Sequence, residues 1–466
     1  MRITFRGAAR EVTGSCHVVQ VAGRTILLDA GLFQGRRSEV HEKNLQLPAA
    51  VDAIDAIVLS HAHIDHAGRL PYLVRKGYRG VIHATPATRD LCRVMLADSA
   101  HIQEKDAEFL ARHRREHHEP LYDHADVERT IGLMHGTGYG TWFPVAPGVR
   151  AMFVDAGHIL GSASVVLEWR EEEAVRRLAF SGDIGRRGLA IIRDPVPPED
   201  VDAMLMESTY GGRMHPLNAD ARRTLGELIA GTAARGGKVL IPAFAVGRTQ
   251  EIIYAIHGLV RERLIPEIPV VIDSPLAIEA TGVFVRHEEL FDRSEPLVRA
   301  FADHPAGVLQ NHLVSFAQTV DESKEAMNRR GPMVVIAASG MAESGRILHH
   351  LLHGASDPRN TILIVGFQAE HTLGRRIVER RPVIKIYGVE VELRAQVGVL
   401  NGYSAHADHA GLIAWHEAVR RKSPRHRKTW LVHGEPDSQA ALQQALEGLH
   451  TRVSCPAPGE SDTLDA

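Results

Sequence analysis

The stretch Ser60-His61-Ala62-His63-Ile64-Asp65-His66-Ala67-Gly68 places three histidines and an aspartate within six residues. Imidazole and carboxylate together make a borderline donor set, suited to zinc and tolerable for manganese. A metal so held lowers the pKa of bound water, and two neighbouring metals clamp the attacking and departing oxygens of a displacement. Helix capping by Asp65 does not account for the histidines, because His is not a favoured cap. Ile54, Ile57, Val58 and Leu59 before the cluster read as a buried strand. Leu70, Leu73 and Val74 after it fall at helical spacing, and Gly77 can end that helix. The cluster therefore occupies a strand-to-helix turn, where its side chains point more than one way. That suits two metals better than one. His61 and His63 alternate and could share the first, while Asp65 and His66 turn toward the second.

Further donors close other apolar runs. Thr25-Ile26-Leu27-Leu28 ends in Asp29-Ala30-Gly31, and Phe153-Val154-Asp155-Ala156-Gly157 ends in His158. Ala179-Phe180-Ser181-Gly182 leads to Asp183, and Leu431-Val432 to His433-Gly434. Each alone is an ordinary strand-end residue. Together, around the His cluster, they place polar atoms along one sheet edge, where the sites of layered folds gather.

With Asp29, His158, Asp183 and His433, the HAHIDH run resembles the metallo-β-lactamase superfamily. Met206-Glu207-Ser208-Thr209-Tyr210-Gly211 and Tyr403-Ser404-Ala405-His406-Ala407-Asp408 resemble the acidic and histidine motifs of the β-CASP nucleases. That group includes the endonuclease subunit of the eukaryotic mRNA 3′-end cleavage machinery and bacterial ribonucleases. The resemblance runs from about Gly7 to about Glu435. It implies two zinc ions, with manganese as a substitute: His61, His63 and His158 on one, Asp65, His66 and His433 on the other. Asp183 would bridge them, and Asp29 would orient a ligand from behind. His406 would protonate the leaving oxygen, with Glu207 holding it charged. Asp65 and Asp29 thus join His406 and Glu207 in the expected catalytic group. The implied reaction is hydrolysis of single-stranded RNA in a cleft between two domains, leaving 5′-phosphate and 3′-hydroxyl. The chain ends at Ala466, soon after His433, without the extra C-terminal domain of ribonuclease J relatives. This favours an endonuclease, with 5′-to-3′ exonuclease action also open.

Three other readings compete. A metallo-hydrolase of a small ester, thioester or lactam would share the metal motif, but it has no need of Glu207 and His406. A DNA-directed nuclease shares every motif, since no residue visibly reads a 2′-hydroxyl. An inactive RNA-processing scaffold would have lost donors, and none is replaced.

The elements around these residues read in two patterns. Ile3 to Phe5, Cys16 to Val21 and Thr25 to Asp29 are expected strands, with an Ala22-Gly23 hairpin turn and a polar loop from Gly31 to Asn44. Residues 85–135 are helical in composition, and strands resume at Val149 to Val154, Ser164 to Trp169 and Leu178 to Ser181. After Glu207 strands and helices alternate strictly: Val239 to Ala243, Thr249 to Arg263, Val270 to Asp273, Leu276 to Leu290, Met333 to Ala338, Gly345 to Leu352 and Thr361 to Val365. Such alternation signals a parallel sheet. The expected fold is α/β: a metallo-β-lactamase αββα sandwich, residues 1–208 and 391–466, interrupted by a β-CASP domain, residues 209–390, on a mostly parallel, doubly wound sheet. The tail from Cys455, CPAPGESDTLDA, is expected to be loosely ordered.

In the inserted part, Phe244-Ala245-Val246-Gly247-Arg248-Thr249 and Ser339-Gly340-Met341 join strands to helices. Small residues before a helix expose N–H groups that hold phosphate, so Arg248, Thr249, Ser339 and Gly340 are candidate phosphate contacts. Gly366-Phe367-Gln368-Ala369-Glu370 is a third such turn.

A net charge of −3 spread over 466 residues gives no global basic field. Nucleic acid would have to meet local pairs such as Arg186-Arg187, Arg222-Arg223, Arg375-Arg376 and Arg380-Arg381, or the run from Arg420 to Lys428. Cys16, Cys92 and Cys455 show no metal or disulfide spacing. The N-terminus has no apolar signal core, and no run approaches a membrane span. A cytoplasmic protein is expected, with single-stranded RNA as partner, no membrane, and a homodimer left open. His113, His117 and His118 fall in ARHRREHHEP, expected to be an exposed helix end and not a metal site.

Overall fold

The computed structural model describes the chain except residues 36, 115–118, 216–217, 295–297, 299–311, 367, 369–371, 401–403, 450–451 and 465–466. His117, His118, the His113 side chain, Tyr403, and Phe367, Ala369 and Glu370 of the third turn lie outside the described residues. In chain order the first strands are β1 (Arg2–Gly7), β2 (Cys16–Val21), β3 (Arg24–Leu28), β4 (Ala56–Val58), β5 (Val81–Ala84), β6 (Met134–Gly136), β7 (Trp142–Ala146), β8 (Val149–Asp155), β9 (Ala163–Glu171), β10 (Ala174–Phe180) and β11 (Ala203–Glu207). Then come β12 (Lys238–Pro242), β13 (Val270–Ile272), β14 (Val314–Phe316), β15 (Met333–Ala337), β16 (Thr361–Ile364), β17 (Val383–Ile386), β18 (Val389–Glu392), β19 (Gln396–Val399), β20 (Lys428–Val432), β21 (Val453–Ser454) and β22 (Ser461–Thr463).

The chain forms two compact units. Met1–Arg187, Asp194–Met214 and His406–Ala466 make the first, and Gly188–Arg193 with His215–Ala405 the second. The first unit holds two seven-stranded sheets, ordered β22-β1-β2-β3-β4-β5-β6 and β21-β20-β11-β10-β9-β8-β7. Strand alternation sorts their side chains. Leu178 and Phe180 enter the core between the sheets with Phe5, Ile26, Leu28, Phe153 and Trp430. Ala179, between them in β10, faces Leu412, Trp415 and Leu442 of helices His409–Arg421 and Pro436–Glu447. Where these helices cover it, both faces of the sheet are buried, so β9, β11 and β20 are buried along most or all of their length, whereas β7 and β8 keep an alternating pattern. Helices Leu70–Arg75, Pro86–Arg114 and His124–Leu133 pack together, the second of them against β6. The result is an αββα sandwich, and each fully buried Leu or Phe in it contributes about 1.5–3 kcal/mol relative to exposure.

Two expectations fail in this unit. Residues Arg37–Leu45 form a helix where a loop is expected. The segment carries no apolar stripe to read. It is anchored instead by Asn44, whose side chain accepts from Phe33 N at 2.8 Å and donates to Phe33 O at 2.9 Å. The tail is not loose either. β22 pairs with β1, and Asp462 receives Lys428 Nζ at 2.5 Å and Trp430 Nε1 at 2.8 Å. A polar composition did not betray a strand whose partner lies at the start of the chain.

The second unit is built on six parallel strands ordered β14-β13-β15-β12-β16-β19, with β17 and β18 as a separate hairpin. One face of the sheet, with Leu240, Val335 and Ile362, packs against helices Ile347–Gly354 and Leu373–Val378. Helix Arg248–Arg261, which follows β12, buries Ile252, Ile256 and Leu259 outside that cluster, on the opposite face. Right-handed crossovers require this: from β12 the chain moves to β13 on one side, and from β15 to β16 on the other. Among the described residues no helix is long and apolar enough to cross a membrane.

Candidate metal centre

Six strands of the first unit deliver a polar residue at or just past an end. Asp29 follows β3, the His61–His66 segment follows β4, and His158 follows β8. Asp183 follows β10, Glu207 ends β11, and His433 follows β20. Backbone conformation aims two of them, since Asp29 (φ 62°) and His433 (φ 51°) adopt the left-handed region, which costs a non-glycine residue roughly 1–3 kcal/mol. Gly31 sets the depth of the His cluster: a Cβ there would lie 1.6 Å from the Asp65 carbonyl oxygen.

His61 Nε2 stands 3.0 Å from His63 Nδ1, which stands 3.3 Å from His158 Nε2. Asp183 Oδ2 lies 3.4 Å from His61 Nε2 and 3.5 Å from His158 Nε2. In a second group, His66 Nε2 is 3.1 Å from His433 Nε2, which is 3.5 Å from Asp65 Oδ2. Asp183 Oδ1 is 3.3 Å from His66 Nε2 and, although buried, has no hydrogen-bond partner among the described residues. One carboxylate thus turns an oxygen to each group.

These donors fit metal ions better than they fit one another. Tetrahedral ligands about 2.0–2.1 Å from zinc stand about 3.3 Å apart, which is the spacing found here. No placement of ring protons turns three converging nitrogens into a complete set of hydrogen bonds. Burial, aided by neighbouring imidazoles, pushes His63 down to about 3 and lowers His61 and His158 too. They are neutral, as ligation requires. Burial opposes charge on His66 as well, but Asp183 and Asp29 outweigh it and raise its pKa.

The outward nitrogens are held by oxygen acceptors, which fixes the tautomers. His66 Nδ1 donates to Asp29 Oδ2 at 2.7 Å. Ser60 Oγ donates to the same carboxylate at 2.9 Å and accepts from His61 Nδ1 at 3.0 Å. Ser15 Oγ and Ser60 N complete the shell of Asp29. Thr209 Oγ1 donates to the His433 carbonyl at 3.1 Å and accepts from His433 Nδ1 at 3.0 Å. In each case Nε2 is left for a metal. Ser15, Ser60 and Thr209 carry no spacing signal, and sequence reasoning missed them.

His406 lies beside these groups. Its Nδ1 donates to Glu207 Oε1 at 3.1 Å, and its Nε2 is 4.0 Å from Asp183 Oδ2. Glu207 is fully buried and accepts also from Ile184 N and Thr209 N. Burial works against charge on His406, but Glu207 and Asp183 prevail and hold its pKa up at about 9. His406 does not cap the following helix. Asp408 does, accepting from Gly411 N at 2.9 Å.

In the second unit, Thr249 uses its hydroxyl and N–H on the Phe244 carbonyl and so ties its own turn together. Arg248 is buried at the first position of its helix. Ser339 Oγ accepts from Glu343 N and Ser344 N, which leaves its own proton to donate. Gly340 packs under the Phe244 ring.

Comparison with known proteins bears on the family. Residues 9–211 match the metallo-beta-lactamase superfamily, 249–377 a Beta-Casp domain, and 390–456 a Zn-dependent metallo-hydrolase RNA specificity domain. Ribonuclease TTHA0252 of Thermus thermophilus is 39% identical over 99% of both chains. Transcription termination factor FttA of Methanothermobacter thermautotrophicus is 32% identical over 99% of this chain and 71% of its own. A crystal structure of a protein of unknown function from Enterococcus faecalis covers 99% of both chains with a TM-score of 0.56 at 12% identity, which is a likeness of fold alone. A sandwich that gathers two donor groups at its strand ends, interrupted by a parallel-sheet unit, and relatives alike along the whole chain lead to one assignment: the chain belongs to the β-CASP group of the metallo-β-lactamase superfamily.

Proposed function

We propose that this chain is a two-zinc ribonuclease that hydrolyses phosphodiester bonds within single-stranded RNA, leaving 5′-phosphate and 3′-hydroxyl, with 5′-to-3′ exonuclease action as the alternative outcome. The observation that carries this reading is the His406–Glu207 pair beside the donor groups. A phosphodiester needs an acid for its departing alkoxide oxygen, whereas a thioester hydrolase, whose thiolate leaves unaided, does not. The similarity to a protein named as a ribonuclease and to an RNA specificity domain supports RNA as the substrate.

When bound, the zinc ions supply an activated water and stabilise negative charge on the phosphate oxygens. His61, His63 and His158 would hold one, Asp65, His66 and His433 would hold the other, and Asp183 turns an oxygen to each group. Asp29 and Thr209 keep His66 and His433 in the ligating tautomer. Glu207 takes the Nδ1 proton of His406 as a hydrogen bond, and His406 delivers its Nε2 proton to the leaving 3′-oxygen. Arg248, Ser339 and Gly340 hold backbone phosphates, while Thr249 supports its turn. Cys16, Cys92 and Cys455 are free thiols, which fits a reducing, cytoplasmic site of action.

The test is metal analysis together with digestion of end-labelled single-stranded RNA and DNA. About two zinc ions per chain are expected, with cleavage of RNA to internal fragments, abolished by chelation and restored by zinc or manganese. One ion per chain after zinc supplementation would defeat the two-metal assignment. Intact RNA alongside hydrolysis of a thioester or lactam would overturn the nuclease reading.

A further inference from the structure

We propose that the crevice outside the carboxyl ends of β12 and β15 binds one nucleotide of the RNA strand, with its base stacked on Phe244 and its phosphate on the Gly340–Met341 backbone. This inference rests on the ribonuclease reading and names a subsite within it.

Topology selects the place. β12 and β15 are neighbours in the parallel sheet, and the chain leaves them in opposite directions, toward β13 and toward β16. Their helices consequently cover opposite faces of the sheet. Such a switch point opens a crevice beyond the strand ends, and open α/β sheets bind ligands there. The residues at the mouth are the two turns, Ala243 to Gly247 after β12 and Ala338 to Gly345 after β15.

Phe244 stands in the first turn. Phe244 is 44% exposed, more than any other phenylalanine whose side chain is described. One side of its ring is taken by Gly340: a Cβ there would lie 2.7 Å from Cδ2 and 2.9 Å from Cε2. The glycine lets the backbone of the second turn lie close against the ring and leaves the remainder of the ring open. An exposed ring fixed from one side is a platform for a flat, apolar-faced ligand. A nucleobase is such a ligand, and stacking accepts all four bases because each has a π-face.

The second turn supplies donors. Gln368 Nε2 donates to the Gly340 carbonyl at 3.0 Å, and Gly374 N to the Met341 carbonyl at 3.1 Å. Ser339 N donates to Ser344 O at 3.1 Å and closes the loop. Both carbonyls are thereby engaged, while the N–H groups of Gly340 and Met341 have no acceptor among the described residues. A turn with its acceptors engaged and its donors unpaired suits an anion and disfavours a cation. Base platform and anion donors adjoin, as base and phosphate do in a nucleotide. A ring that merely covered Gly340 would not need to be aromatic or so open.

The test uses the full-length, zinc-loaded protein. Phe244→Leu keeps an apolar cover over Gly340 but cannot stack. It should raise KM for single-stranded RNA about tenfold, within the range of base–aromatic stacking, with kcat at saturating RNA changed less than about twofold. Phe244→Trp and Phe244→Tyr should restore KM. An oligonucleotide of the same length with abasic positions should bind wild type and Phe244→Leu equally weakly. A Leu variant with wild-type KM would overturn the stacking assignment. So would an equal loss on abasic RNA, which would mean a disturbed turn. A wild-type protein that neither bound nor cleaved RNA would instead strike the ribonuclease reading.

Discussion

His406 differs from the histidines around it in how it is held. The others turn a nitrogen into a donor group, whereas His406 is gripped by Glu207 at 3.1 Å and keeps Nε2 4.0 Å from Asp183. His406→Ala should therefore retain both zinc ions and the melting temperature. Its single-turnover RNA cleavage should fall by about 10²–10⁴-fold, the usual contribution of a positioned acid. The loss should shrink on a nitrophenyl phosphodiester, whose leaving group needs no proton. Glu207→Gln should act in the same direction but more mildly, because the amide still accepts the Nδ1 hydrogen bond. Loss of a zinc ion from His406→Ala, measured by elemental analysis, would make His406 a ligand and remove the proposed acid. At this scale the sequence was legible where residue type is rare and spacing tight, as in HAHIDH. It was not legible for hydroxyls. Thr209 supports His433 from 224 positions away, and nothing about one threonine announces that contact.

Among the elements of the second unit, two helices are clamped to β13 by one carboxylate. Asp273 is fully buried and accepts from Ser323 Oγ at 2.6 Å, Arg346 Nη1 at 2.8 Å and His350 Nε2 at 2.7 Å. Ser323 lies in helix Val320–Asn328, His350 lies in helix Ile347–Gly354, and Arg346 caps the latter. Burial would raise the pKa of Asp273, but these partners outweigh it and hold the carboxyl below its usual 3.8. The folded pKa is thus depressed. The stabilisation is fully present above about pH 3.8 and is lost as pH falls through the lower folded value. Asp273→Asn should destabilise the protein by about 3 kcal/mol at pH 7, since it leaves Arg346 without its buried counter-charge. The gap from wild type, read from urea unfolding, should narrow as pH drops below 3.8. A gap that stayed constant down to pH 2.5 would mean that charge at Asp273 does not hold the helices. Strand–helix alternation made this sheet readable in the sequence, but the clamp was not, because its partners are 50, 73 and 77 residues away. The same distance problem hid the pairing of β22 with β1. A polar helix such as Arg37–Leu45 was hidden for the opposite reason, having no apolar stripe to read.

For the molecule as a whole, a net charge of −3 is an odd attribute for a protein that binds RNA. Long-range attraction cannot gather the polymer, so affinity must come from the few groups that touch phosphates. Those contacts release counterions locally whatever the total charge, at a slope of about −0.7 per phosphate on a single strand. A handful of contacts, on the order of three to five, predicts that log affinity falls against log salt with a slope of about −2 to −4. Phosphate contacts position a strand without reading it, so sequences of equal length should give the same slope and similar affinities. His406→Ala, which should bind without turnover, permits the measurement by fluorescence anisotropy of a labelled single strand between 50 and 500 mM potassium chloride. Composition could not have foretold this behaviour, because a count of charges carries no positions. A slope near zero at submicromolar affinity would remove backbone phosphates as the main contacts. Recognition would then rest on bases alone, and strong differences between sequences would have to appear in the same titrations.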